Sequence, residues 1–574
     1  MQIRVNKREK RQTITTIALG MLLALPASAR ADDTADEIRA LKAQLKRLEA
    51  KVNEQARSQK ETQVQIRAVS SKAAPAAAAA AASPGTPSYS GIGVGSLGGV
   101  APTGFAAREA AIRGLPVPGA PSLYINGVSI TPGGFLALEG LFRDRFVGAD
   151  IATPFNNIPY SNVRTGNANE FRFTSRQSRL NLLTKADINP TTHIAGFLEV
   201  DFLSAAQTAN SNESNSFNPR MRQLYMTLDQ DDFGAHFFAG QAWSFATPYS
   251  NGLLARSEAL PLTIEHQLVP GFVWTRQPGL RVIKDWDKTL WAGLAVESPQ
   301  TTFSGGPFPG AGPYVGGLPT ATAAAALPST LVFNQLPPGG SLFNSLNAVS
   351  LNHFPDVIGK VAWDPTIADR HIHFEAIGIF RDFYSQVNNH NQDVASGAFG
   401  GSLLVPIIPK QLEFQFSGLT GRGIGRYGTS QLPDVTFNSS GYITPLQETM
   451  LFGGLIWHAM PELDLYTYAG EEITNASYNT VTTAGGGKLA YGYGNPLYTN
   501  AGCTIAGSTV CVGNVALVRQ ITGGFWDKIY QGDFGQLRVG MQYSFTQKYS
   551  FPGIGGTAKA QENIVMGSIR YYPF

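Results

Sequence analysis

The chain ends on Asn563-Ile-Val-Met-Gly-Ser-Ile-Arg-Tyr-Tyr-Pro-Phe574, a β-type segment with an aromatic carboxy-terminus. A last strand that stops on Phe is the expected finish of a bacterial outer-membrane barrel, where it must close the cylinder against the first strand. The opposite end agrees. Arg4, Lys7, Arg8, Lys10 and Arg11 form a basic region, and Thr13 to Leu25 is short and mostly apolar. Ala27-Ser28-Ala29 or Ala29-Arg30-Ala31 then offers a small-x-small cleavage site, so residues 1–31 read as a signal peptide. No Cys follows that site, which argues against a lipoprotein.

Composition narrows the choice further. A hydrophobic share of 43% with mean hydropathy −0.07 suits neither a helical membrane protein nor a disordered chain. Beyond the leader no apolar run reaches the roughly 20 residues that a spanning helix needs. Only helices and closed barrels satisfy every backbone group in lipid. An exported, strand-rich chain is therefore a soluble β-protein or a barrel. The formal charge of +3 misleads, because five basic residues cluster at positions 4–11 of the leader, and nothing indicates a nucleic-acid partner.

With Ile38 as heptad position a, the a-series runs Ile38, Leu45, Val52, Gln59, Ile66 and the d-series Leu41, Leu48, Gln55, Thr62, Val69. This register predicts a coiled-coil helix over 32–72; the alternative is one amphipathic helix lying on the membrane or barrel. So narrow a stripe buries little alone, which favours self-association. Residues 73–128, rich in Ala, Pro and Gly, read as a linker.

From about Gly133 the period becomes two. Sixteen candidate strands follow, including a second near 171–187, a ninth near 371–385 and a tenth near 395–406. The fold expected is all-β: a 16-stranded antiparallel transmembrane barrel over 129–574, with the coiled-coil helix amino-terminal to it. Short turns such as Asp187-Ile-Asn-Pro-Thr191 and Gln531-Gly-Asp-Phe-Gly535 alternate with mostly long loops, and this sorting of connections to two rims marks an outer-membrane barrel. In the third strand Ile194, Leu198 and Phe202 alternate with His193, Glu199 and Asp201. Arg or Lys at the lipid midplane costs about 2–4 kcal/mol, so the polar faces look inward. Sixteen strands leave an aqueous bore.

A pore selects by diameter and by the fixed charges at its narrowest ring. The candidate basic wall is Arg172, Arg176, Arg179, Arg220, Arg222 and Arg281 from strands two, four and six. Arg143, Lys360, Arg381, Arg422 and Arg426 could join it, and the facing acids are Glu139, Glu199, Asp201, Glu375 and Glu413. Opposed walls would set a transverse field across the bore. The competing reading pairs these residues as ions along the wall. Acidic residues outnumber basic ones from position 129 on, so any anion preference must come from local clustering.

Cys503 and Cys511, the only cysteines, share one loop. An oxidising export route favours a local disulfide over two free thiols, worth about 2 kcal/mol. Other motifs point nowhere. Gly423-Ile-Gly-Arg-Tyr-Gly428 matches G-x-G-x-x-G but opens no helix. His371 and His373 lie two apart without an evident third ligand, so neither a metal nor a cofactor is expected.

Several segments resemble the DcaP-like porins: Phe173-Thr-Ser-Arg-Gln-Ser-Arg-Leu180, Ala186-Asp-Ile-Asn-Pro190, Ala239-Gly-Gln-Ala-Trp-Ser244, Gly423-Ile-Gly-Arg-Tyr427, Tyr493-Gly-Asn-Pro496, Gly523-Gly-Phe-Trp526 and Ile569-Arg-Tyr-Tyr-Pro-Phe574. The resemblance implies a trimeric outer-membrane porin with an amino-terminal coiled coil. It also implies passive uptake of small hydrophilic, often anionic solutes, and the partners would be other copies of the chain, outer-membrane lipids and the solutes themselves. Two departures stand out. The loop from Gln300 to Asn352 carries no charge, and Arg570 shares parity with Tyr572 and Phe574, where a lipid-facing residue is expected. Two other function classes compete: a tether whose helix reaches peptidoglycan, and an outer-membrane hydrolase, although no G-x-S-x-G elbow is present.

Overall fold

Alternation along the strands sorts side chains into two environments, and the sheet closes around the polar one. The computed structural model describes residue 46 and residues 110–116, 120–203, 217–303, 327–328, 330–335 and 349–574. The signal peptide, the coiled-coil register and most of the linker lie outside the described residues. The wall consists of β1 (Val128–Arg143), β2 (Glu170–Thr174 and Arg179–Asn189), β3 (Thr192–Asp201), β4 (Arg220–Gln230), β5 (Ala235–Trp243), β6 (Arg276–Trp286), β7 (Leu290–Glu297) and β8 (Asp356–Trp363). It continues through β9 (His373–Val387), β10 (His390–Ile408), β11 (Leu412–Arg422), β12 (Gln447–His458), β13 (Leu463–Thr474), β14 (Val515–Gly532), β15 (Gly535–Ser550) and β16 (Lys559–Tyr572). Each strand pairs antiparallel with the next. β16 returns to β1 from Leu136↔Tyr571 to Arg143↔Ile564, which leaves the cylinder without an edge. No helix among the described residues is long and apolar enough to cross a membrane.

The two faces separate as period two requires. On β1, Leu136, Leu138 and Phe142 are exposed, while Phe135, Glu139, Leu141 and Arg143 are buried in the bore. On β16, Val565, Ile569 and Tyr571 face out, and Ser568, Arg570 and Tyr572 face in. This corrects the expected parity of the last strand: Tyr572 belongs to the lumenal row, so Arg570 on the same row meets no lipid. It bonds Glu139 at 2.9 Å across the closing seam. Trp286, Trp363 and Trp457, at the turn-side ends of their strands, and Phe233 and Phe534, in the turns themselves, are exposed at that rim. They form the aromatic girdle expected where membrane meets water.

Two local departures interrupt the regular pairing of the wall. The second strand breaks at residues 175–178, and β4 carries a bulge opposite Glu199/Val200, so that Arg222 and Gln223 are both buried inward. The ninth and tenth strands run further than expected, to a two-residue turn at Asn388-Asn389. Both residues adopt positive φ (52° and 60°), a conformation Asn tolerates and a tight hairpin favours. The Cys503–Cys511 disulfide forms in the β13–β14 connection, with Cα atoms 4.7 Å apart.

Candidate functional site

The bore is not lined by strands alone. The β5–β6 connection, residues 244–275, folds inward, and every residue from 244 to 273 is buried except Asn251. Its sequence explains why. Leu253, Leu254, Leu260, Leu262, Ile264, Val269 and Phe272 would be costly on an exposed loop, and they pack instead against wall residues such as Trp526, Tyr468 and Ile379.

Backbone N–H groups of this loop find acceptors on the wall. Glu297 on β7 accepts from Phe245 at 2.6 Å and from the Ser244 hydroxyl at 2.7 Å. Glu375 on β9 accepts from Tyr249 (3.0 Å), and Asp364 beyond β8 accepts from Gly252 (2.9 Å). Gln542 on β15 accepts from Ile264 (2.6 Å), and Glu472 on β13 accepts from Gly271 (2.9 Å). Buried carboxylates without such donors would be expensive. Glu375, expected as a solute-facing acid, is thus an anchor of the loop, and it also pairs with Lys360 at 3.0 Å.

The expected basic wall is present but interleaved with acid. Glu199 and Asp201 stand on β3, between the arginine-bearing strands β2 and β4. Arg222 meets Glu199 at 2.6 Å and Asp201 at 2.8 Å, Arg220 meets Asp201 at 2.8 Å, and Arg179 lies 3.7 Å from Glu199. Arg281 sits 3.6 Å from Glu297 and donates to the Tyr249 hydroxyl at 3.0 Å. Arg381 pairs with Asp356 (3.2 Å) and Asp434 (3.0 Å), and Arg143 pairs with Glu170 (3.0 Å). Glu139 serves the closing seam, and Glu413 accepts from Gln415 at 3.0 Å.

Arg172, Arg176 and Arg179 do not act as one cluster. The break in β2 turns Arg176 to Asp150 of the β1–β2 connection (2.7 Å), while Arg172, whose side chain is 38% exposed, leans on Glu170 (3.3 Å). Two opposed walls of single sign are therefore replaced by local neutralisation. Of the remaining candidates, Arg422 is exposed at the end of β11, and Arg426 bonds Gln277 at 2.6 Å. His373 is buried with its two ring nitrogens against Asp364 (2.5 Å) and Glu375 (3.1 Å), whereas His371 is exposed.

One arginine that the sequence reading passed over behaves differently. Arg256, on the inward loop, is buried, has φ +76°, and lies 5.6 Å over the Phe197 ring. Its Nε and Nη1 have no hydrogen-bond partner among the described residues. The nearby Glu258 is already engaged: Oε1 accepts the Arg256 backbone N–H (3.1 Å) and Oε2 accepts from Arg113 (3.3 Å). A strained backbone carrying a guanidinium with two nitrogens unsatisfied among the described residues is the kind of local cost that functional sites retain. The legible signal was the apolar composition of its loop, which was never going to stay in water.

No protein-family model matches the sequence, and no curated protein matches it. Among solved structures, the fold is similar to the outer membrane channel DcaP of Acinetobacter baumannii. The identity is 14% and the TM-score 0.51, over 79% of this chain and all of that one. An anion-selective porin from Comamonas acidovorans is similar at 11% identity and TM-score 0.40, over 78% of this chain and 99% of that one. OmpF of Salmonella typhi, in complex with daunomycin, stands at 9% and 0.39, over 79% and 100%. The resemblance to the DcaP-like channels that the sequence motifs carry is thus matched in three dimensions by a likeness of fold: a closed, sixteen-stranded antiparallel barrel with a polar lumen.

Proposed function

We propose that the protein is an outer-membrane porin, a water-filled channel through which small hydrophilic solutes diffuse passively. The observation that carries this reading is the division of faces in a closed sixteen-stranded wall: apolar and aromatic outside, ionised inside, with a loop folded into the bore. A protein that only anchored the membrane would have no use for buried ion networks around a lumenal loop. Passive diffusion requires no reacting group, so no catalytic residue is assigned. The heptads of residues 38–69 support assembly as a homotrimer, and deleting 32–70 is expected to weaken that assembly in chemical cross-linking while the pore stays functional. Liposome swelling tests the transport reading. Proteoliposomes should swell in small sugars and amino acids and progressively less as solute size rises; swelling no faster than empty liposomes would contradict it.

The mild anion preference belongs to Arg256 and not to the paired arginines of β2 and β4. An arginine neutralised by a carboxylate contributes little net field, whereas Arg256, with no carboxylate partner among the described residues, attracts anions over roughly a Debye length, about 8 Å at physiological ionic strength. Replacing Arg256 by Gln should shift the reversal potential in a salt gradient toward cations, most at low salt. The triple change of Arg172, Arg176 and Arg179 to Gln should shift it less. The opposite order would return selectivity to the β2 arginines.

A further inference from the structure

We propose that residues 110–116, which the composition assigns to the linker, are a strap seated inside the bore that narrows the channel from its periplasmic side. The proposal rests on the porin reading and adds a regulatory element to it. The segment begins with one helical turn at 110–112 and is buried at Ala110, Ile112, Gly114, Leu115 and Pro116. It lies beside the start of β1 and the end of β16, the rim on which both ends of the barrel emerge. Leu115 and Ala110 pack with Leu183, Phe197, Tyr225 and Phe238 of β2 to β5. Ile112 joins Trp526, Ile564 and Met566 of β14 and β16, together with Leu260 and Leu262 of the inward loop. Seven residues thus join the inward loop to the two flanks of the β16–β1 seam.

Polar contacts fix the position. Arg113 donates to the Glu258 carbonyl at 2.8 Å and to its carboxylate at 3.3 Å, which ties the strap to the loop. The Gly114 carbonyl accepts from the Gly134 N–H (2.7 Å) and from the Asn181 amide (2.8 Å), and the Ile112 carbonyl accepts from the Tyr572 hydroxyl (2.8 Å). The seat is shaped for this backbone. Gly114 has φ +70°, and a Cβ there would meet the Phe135 ring at 2.9 Å and the Gly134 backbone at 3.0 Å. A Cβ on Gly133 would meet the Gly114 carbonyl oxygen at 2.9 Å. Glycines on both sides of the contact let the strap lie directly on the wall. A linker that merely passed the barrel mouth would need neither the glycine seat nor an ion pair with the loop inside.

The strap should come away when its seat is broken, and the channel should then conduct more. The full-length double variant Arg113→Ala, Gly114→Val removes the ion pair and fills the seat. Its single-channel conductance should rise at least twofold over the wild type. A second variant keeps the question open should the first fail to fold. In the single variant Arg113→Glu, repulsion from Glu258 replaces the ion pair while Gly114 and its seat stay intact, and the conductance should again rise at least twofold. Equal or lower conductance in the released proteins overturns the strap and leaves the channel standing. Failure of every folded, inserted protein to conduct, wild type included, overturns the channel and the strap with it.

Discussion

Replacing Arg222 by methionine is expected to destabilise the barrel by about 3–5 kcal/mol, because it removes the fully buried cation shared by two buried carboxylates and leaves Asp201 to Arg220 and Glu199 to the more distant Arg179. Arg222 is 2% exposed and bonds Glu199 at 2.6 Å and Asp201 at 2.8 Å. Its bulge brings the side chain to the middle of the β2–β4 network, where water does not compensate the loss. The readout is the temperature at which the folded band in detergent electrophoresis gives way to the unfolded one. Adding Glu199→Gln to Arg222→Met should recover part of the loss, since it removes the carboxylate left with the weaker remaining partner. Arg172→Gln gives the contrast: that side chain is well exposed, and its pair with Glu170 should be worth less than about 1 kcal/mol. Equal effects at the two positions would mean that the lumenal network is as wet as the rim.

The second large effect is expected at Gly271. The loop backbone there has φ +88° and presses on the wall so closely that a Cβ would meet the carbonyl oxygens of Leu451 and Glu471. Backbone atoms of a paired strand cannot give way as a flexible side chain would. Gly271→Val should therefore cost about 1–3 kcal/mol in overpacking, with roughly 1–2 kcal/mol more for the left-handed conformation. The strain should lift the loop from Glu472, which accepts the Gly271 N–H and also the Ser430 N–H at 2.9 Å. Stability and single-channel conductance should change together. A variant with wild-type melting and wild-type conductance would show that the loop does not bear on β12 and β13.

Much of the wall was legible because its causes are local. Period two in β3, β9 and β11 sets which residue faces lipid, and turn residues mark where strands reverse. The lumenal placement of Glu199, Asp201, Glu375 and Glu413 follows from parity alone. What escaped depends on neighbours distant in sequence. The partners of Arg222 come from pairing β3 with β4 around a bulge, and no reading of either strand reveals a bulge before the register is known. The break at 175–178 separates three arginines that look like one cluster in the sequence. The inward loop was readable in principle, since Leu253, Leu260, Leu262 and Phe272 are poor choices for water. Its landing points on five different strands or turns were not. The strap hid behind composition: Ala, Gly and Pro signal a linker, and the same small residues allow a backbone to lie flush on a wall.

The central claim is a water-filled channel through a sixteen-stranded barrel, and planar-bilayer recording of the purified protein tests it most directly. Discrete, stepwise openings of uniform size are predicted, present before any variant is made and mildly anion-selective in a salt gradient. Correctly folded protein that inserts into the bilayer and leaves its conductance at baseline would contradict the account.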